Sequence, residues 1–350
     1  MTSFTEPKAG DDSAAAGTAA GADQDRSGRR DRQEPPGRAD EPHHPEYAPF
    51  RRAWRRFRRD RGALASLVVL ALMVLFALLA PLWESLTGHP YDATFPRTGL
   101  DPAGQPVGPG AEFWLGADQL GRDVLVRAAY GARISLLVGI GAAALAAVAG
   151  VTAGLLAGFA GGVVDALLAR LMDLTLALPY LLVAITLATT FQISSPGASL
   201  AMTVLVIAFF SFAALGRVVR GQVLSLKEKP FVEAARSLGA SRSRIMFVDV
   251  LPNLVAQITV LTSLLVPTSI VFEATLSFLG VGIRPPMPSW GGMLGEGGEV
   301  FRASWWLLAV PGVLLLLTTL SFNLLGDGIR AALGPGGDRG GRAPRAVRGR

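Results

Sequence analysis

The sequence predicts an all-α polytopic membrane protein with about six transmembrane helices and both termini in the cytoplasm. Half of the 350 residues are hydrophobic and the mean hydropathy is +0.40, too apolar for a soluble chain of this length. The apolar residues are clustered, and several runs reach the roughly 20 residues that cross a bilayer. The net charge of +6 is gathered beside those runs, the pattern by which membrane spans take their orientation.

Residues 1–48 are rich in Ala, Gly, Asp, Arg and Pro and lack the apolar bulk to fold, so a disordered cytoplasmic tail is expected. No cleavable secretory signal is expected there, because the first apolar run begins too late. A basic juxtamembrane segment, 49–62, carries Arg51, Arg52, Arg55, Arg56, Arg58, Arg59 and Arg61 interleaved with Trp54 and Phe57. It holds the N-terminus inside and also suits an amphipathic interfacial helix. The membrane-spanning body then runs over 63–333. Its first span is expected at 63–83, followed by an outer loop, 84–130, rich in Pro and Gly. The second span is placed at 133–157, and a short hairpin at 158–162 leads to the third, 164–191. Pro196-Gly197 marks an outer turn before the fourth span, 198–219. The inner loop 220–253, the fifth span 254–280, the outer segment 281–304 and the sixth span 305–325 complete the body. A basic disordered tail, 334–350, ends the chain inside. Moving the count by one span would put the seven bases between Arg217 and Arg244 outside, against the positive-inside rule.

Composition also excludes functions. There is no cysteine, so disulfides, thiol catalysis and Cys-ligated metal are ruled out. His43 and His44 fall in the N-terminal tail and His89 in a loop, so no buried His metal site is expected. No folded soluble domain is available to present a basic face to nucleic acid. No G-x-x-x-x-G-K-S/T run occurs, so the chain has no phosphate loop of its own. Without a catalytic constellation it is not expected to be an enzyme.

The most telling segment is FVEAARSLGASRSRIMFVDVLPN, residues 231–253. It is a polar, basic, two-part helical stretch between apolar runs. Gly239 can turn the chain, Ser241 can cap a second helix over 242–250, and Pro252 stands where the chain re-enters the membrane. Ala234 and Ala235 leave one helix face flat enough for another protein to approach, and Glu233 offers a charge. An ordinary surface helix tethering two spans is the alternative.

The spacing Glu233-Ala234-Ala235, Gly239, Leu251-Pro252 resembles the EAA loop of ABC-importer permeases. Four further blocks extend the resemblance over residues 50–333: LGADQLGRDVLVRAAYGARISL (115–136), GGVVDALLARLMDLTLALP (161–179), FEATLSFLGVGIRPPMPSWGGML (272–294) and SFNLLGDGIRAAL (321–333). Together they resemble the DppC/OppC-type permeases of dipeptide, oligopeptide and nickel importers. The resemblance implies a MetI-like permease fold in the bacterial plasma membrane. It also implies ATPase coupling through Glu233, Ala234, Ala235, Gly239, Leu251 and Pro252. The implied partners are a homologous B-type permease, two ABC ATPase subunits that carry ATP and magnesium, and an extracellular solute-binding protein. The implied cargo is a di- or oligopeptide, with nickel or another peptide-like or chelated substrate as the alternative. A membrane channel or membrane enzyme is the alternative from another class. Val248-Asp249 departs from the family, where basic character is usual.

The remaining features leave readings open. Gly150, Gly154, Gly158 and Gly162 recur every four residues and bare one helix face for close packing, within the chain or against a second permease. Asp165, Arg170 and Asp173 have spacings that permit pairing along a helix and are expected to stabilise the hairpin. Glu273, the acid deepest in a span, either lines the pathway or packs. Asp118, Arg122, Asp123 and Arg127 belong either to a dock for the binding protein or to a lid on the spans. Trp290, Trp305 and Trp306 are expected in an interfacial belt.

Overall fold

The computed structural model describes residues 54–55, 57–58, 60–191 and 195–333. The tails assigned to 1–48 and 334–350, with His43 and His44, lie outside the described residues. Ten helices carry the described part: α1 (Arg61–Leu78), α2 (Ala80–Thr87), α3 (Val124–Ala160), α4 (Gly162–Ala177), α5 (Tyr180–Phe191), α6 (Pro196–Leu226), α7 (Pro230–Ser237), α8 (Arg242–Phe278), α9 (Trp290–Gly298) and α10 (Trp306–Leu333). Five of them, α1, α3, α6, α8 and α10, are long and apolar enough to cross a bilayer, and the bent pair α4–α5 makes a sixth span if counted as one.

Contacts between helix ends agree with the topology that charge predicts. At the outer end, Arg133 near the start of α3 donates through Nε and Nη2 to the carbonyls of Ala77 and Leu78 at the end of α1 (2.5 and 2.8 Å). At the inner end, Gly328 of α10 lies against Ala63 and Phe57. Also at the inner end, Lys227 Nζ after α6 donates to the Gly158 carbonyl of α3. Each contact joins ends that the span count assigns to the same side.

The central seam is α3 against α6. Gly150, Gly154 and Gly158 face α6 so closely that an added Cβ would stand 2.7 Å from the Phe212 carbonyl oxygen, 2.6 Å from that of Gly216 and 2.7 Å from Val223 Cβ. Three residues of the glycine stripe therefore serve packing within the chain. Gly162 does not join them. The chain turns at Gly161 and Gly162, both at positive φ, and no neighbour approaches Gly162.

Three span expectations need correction. Helix α3 starts at Val124, not Arg133, and its 37 residues extend roughly 55 Å at 1.5 Å per residue, well beyond a ~30 Å hydrocarbon core. Its first turns project outward, capped by Asp123, whose carboxylate accepts from the amides of Leu125 and Val126. The expected third span is broken into α4 and α5, which meet at 86°. Leu178 is extended (φ −78°, ψ 132°), the conformation that a following proline imposes. Lastly, α8 is continuous from Arg242 through Pro252 to Phe278, with a π-helical stretch over Ile245–Val250. Pro252 withdraws an amide and crowds the preceding turn. The wider turn accommodates it, with Leu251 N–H reaching Met246 O.

The tryptophan belt is corrected too. Trp290 is fully buried, its indole N–H donating to Ala128 O at 3.1 Å, and Trp306 is buried with its N–H on Ala117 O at 3.0 Å. Of these three, Trp305 alone is exposed.

Candidate functional site

Helix α7 and the start of α8 form a bracket at the inner end of the molecule. Pro230 occupies the first turn of α7, where its missing amide costs nothing. The helix stops at Gly239, with φ +80°. Gly239 N–H donates to Arg236 O and Ala240 N–H to Ala235 O, which is a Schellman closure. A side chain at that φ is strained, so the glycine is required by the turn. Ser241 then caps α8, its hydroxyl accepting from Arg244 N–H at 3.3 Å.

The bracket has a buried back. Val232 of α7, with Ile245, Val250 and Leu254 of α8, packs on Leu155 of α3 and Leu215, Val219 and Val223 of α6, while Ala235 and Leu251 border that cluster. Its front is open. Glu233, Ala234, Gly239 and Pro252 are exposed, and Leu238 is 88% and Val248 60% exposed beside Phe247 and Phe231. Four large apolar side chains thus stand out from a polar, basic segment. The structure thus brings Ala235 and Leu251 onto one apolar support and leaves the other candidate residues on its outward side. Next to the bracket, a hollow of about 510 Å³ is lined by Phe159, Ala160, Lys227, Glu228, Arg236, Ala240, Arg242 and Ile245. Three of the four charged groups there are cationic.

The outer end is built on the opposite plan. Arg122 reaches Asp118 (Nε–Oδ2 2.6 Å) and Glu296 of α9 (Nη2–Oε2 2.7 Å), and Arg127 reaches the same two acids at 3.2 and 3.1 Å. His89 Nδ1 stands 3.0 Å from the buried Asp123 carboxylate, with its ring stacked on Phe113 and tilted against Phe95 (centroids 4.7 and 4.5 Å). Residues 115–123 therefore form a lid packed against the first turns of α3 and against α9, with the charges of Asp118, Arg122, Asp123 and Arg127 paired within the chain. Glu296, which closes this network, carried no local signal in the sequence.

Glu273 is fully buried. Ser135 Oγ of α3 donates to its Oε2 at 3.0 Å and Ser277 Oγ to its Oε1 at 2.7 Å. The same two hydroxyls accept from Trp290 N–H and Ile283 N–H, so the carboxylate binds α3, α8 and the 281–289 segment into one unit. It is enclosed and opens on no cavity wall. Asp165 and Asp173 also depart from expectation. They pair with Arg220 and Arg217 of α6, not with Arg170 on their own helix.

Among the described residues no group of three or more His, Asp or Glu side chains is placed to hold a metal ion. The described residues form a helical membrane body of five membrane-crossing helices, or six spans if the bent pair is counted as one, and its family and relatives place it in the permease class of transport subunits. The chain belongs to the family of binding-protein-dependent transport system inner membrane components, whose model matches residues 150–337. The N-terminal transmembrane domain of oligopeptide transport permease C matches residues 48–102. The chain is similar to a di/tripeptide transport system permease protein of Pseudomonas aeruginosa, 40% identical over 82% of this chain and 92% of the relative. It is 43% identical to an oligopeptide transport system permease protein of Escherichia coli, over 81% of this chain and 90% of that protein. A glutathione transport system permease protein of Escherichia coli is 39% identical over 82% of this chain and 90% of its own length. The chain is accordingly an inner-membrane permease subunit of an ABC importer and not an enzyme, within a system that includes a binding protein and an ATPase.

Proposed function

We propose that this chain forms half of a translocation pathway for di- or oligopeptides, with a homologous B-type permease as the other half. Two ATPase subunits, holding ATP and magnesium, dock on the α7–α8 bracket, and an extracellular solute-binding protein delivers the cargo. The observation that carries the coupling role is the bracket itself: a buried apolar back fixed to α3 and α6, and an exposed front bearing Glu233, Ala234, Leu238 and Val248. Force applied to such a front passes to the membrane helices instead of dissipating in a loose loop. For ATP to bias the transporter between inward- and outward-facing states, the bracket must make different contacts in the two. The basic hollow beside it suits an acidic projection of the ATPase.

The peptide cargo rests on the relatives, whose names specify di/tripeptide, oligopeptide and glutathione transport. The test is uptake of radiolabelled dipeptide against nickel in a strain lacking this gene, before and after complementation. Dipeptide uptake restored by the wild type and abolished by Glu233→Arg, with the variant still in the membrane, supports the proposal. Restoration of nickel uptake alone contradicts the cargo, and normal uptake by Glu233→Arg contradicts the coupling role.

A further inference from the structure

The two halves of the broken span are held in different ways. Helix α4 has 16 residues, of which only Met172 and Thr175 are buried, so apolar burial alone fixes its register weakly. Charge supplies the rest. Asp165 makes a two-pronged pair with Arg220 (Nε–Oδ1 2.5 Å, Nη2–Oδ2 2.9 Å), and Asp173 pairs with Arg217. Between them Met172 covers Gly216, where an added Cβ would meet Met172 Sδ at 2.8 Å. Arg220 and Arg217 meet Asp165 and Asp173 in antiparallel order, which sets the direction of α4 along α6 as well as its proximity. Two-pronged Arg–carboxylate pairs carry that kind of geometric specificity. Beyond the bend, α5 rests on the bundle through the Tyr180 ring, 4.4 Å from Phe272 and 5.2 Å from Phe210, and through buried Ala184. Among the described residues, no ion pair holds α5.

Helix α6 continues to Leu226, and three residues separate it from Pro230 at the start of α7. Whatever displaces the bracket therefore pulls directly on the helix that carries Arg217 and Arg220. We propose that Asp165 and Asp173 are positioning residues of the transport cycle, yoking the inner half of the broken span to α6 so that a displacement of α7 reaches the pathway through α4. The bend at Leu178–Pro179 lets α4 follow the inner end of α6, while α5 rests further out on Phe210 of α6 and Phe272 of α8. The inference rests on the coupling role proposed for the bracket, and assigns the next link in that chain.

The two pairs are partly solvent-exposed, so their loss costs the fold little; what they set is how far ATP turnover is converted into transport. The experiment measures peptide uptake per ATP hydrolysed by the complete complex in proteoliposomes. It compares Asp165→Arg, Arg220→Asp and the double exchange, and likewise Asp173→Arg, Arg217→Asp and their double exchange. Each single variant should lower uptake per ATP by about tenfold, a coupling effect of ordinary size, while ATPase turnover stays within about twofold. The double exchanges should recover most of the ratio. Single variants with the wild-type ratio overturn the proposal, as does a double exchange no better coupled than its parents. If a single variant does not assemble, the double exchange decides: assembled and coupled upholds the yoke, and unassembled or uncoupled refutes it. Failure of the bracket's own role is separate, because it appears as normal uptake by Glu233→Arg.

Discussion

The outer and inner ends of this permease handle their polar and apolar groups in opposite ways. At the outer end the charges are buried and paired within the chain: Asp118, Arg122, Asp123 and Arg127 are all buried, Arg122 and Arg127 both reach Asp118 and Glu296, and His89 meets Asp123. At the inner end the apolar groups are the exposed ones, with Leu238, Phe247 and Val248 facing outward. A buried, mutually paired cluster finds its partners within the chain, whereas exposed apolar tips on a supported helix bracket suit the docking role proposed above. The lesson is a division of labour. The outer charges are paired within the chain, whereas the apolar tips of the inner bracket have no cover among the described residues.

Breaking the outer end should damage the fold itself. Arg127→Ala leaves buried Asp118 and half-exposed Glu296 with fewer cationic partners, and removal of one partner from a buried pair costs on the order of 3–5 kcal/mol. Thermal unfolding of the purified complex should register this as a clear loss of stability, and an unchanged transition would show that the lid is not locked by charge. The seam between the ends comes next. Gly154→Val drives a branched side chain against Gly216 O and Val219, and overpacking of this kind costs typically ~1–3 kcal/mol. It should lower the denaturation temperature of the complex, and a neutral outcome would mean that α3 and α6 sit further apart.

At the inner end the effects should shrink in stability and grow in function. Gly239→Ala strains a residue at φ +80° by roughly 1–2 kcal/mol. Amide exchange over 230–240 should quicken and peptide uptake fall, while the rest of the bundle keeps its protection. Leu238→Ser should leave stability within about 0.5 kcal/mol, as surface changes usually do. Yet it should weaken retention of the ATPase subunits in a pull-down. Loss of stability without loss of retention would place Leu238 in the core of this chain and not at a contact.

The same division governs what the sequence reveals. Features that depend on local chemistry were legible: the span count, the glycine that ends α7 and the serine that caps α8. Features that depend on distant partners were not. The start of α3 reads as loop because Arg127, Tyr130 and Arg133 interrupt its apolar run. Their partners are Glu296, Glu84 and the α1 carbonyls, 169, 46 and about 56 residues away. Asp165 and Asp173 invited pairing along their own helix, and the cross-helix Arg217 and Arg220 won instead. Trp290 and Trp306 resembled an interfacial belt, but each finds a backbone carbonyl inside the fold and becomes core. The break at Leu178–Pro179 had a local signal, since a proline follows an extended residue. The length of the apolar run concealed it.

The account turns on whether the inner bracket is covered by the ATPase subunits. The natural chain contains no cysteine, so Leu238→Cys introduces a single reactive thiol at the most exposed apolar tip of the bracket. Its labelling by a membrane-impermeant maleimide is to be measured in inside-out vesicles, stripped of ATPase subunits and then reconstituted with them. The predicted result is rapid labelling in the stripped vesicles and protection once the ATPases are restored. Equal labelling with and without them, or labelling only from the opposite face of the membrane, would contradict it.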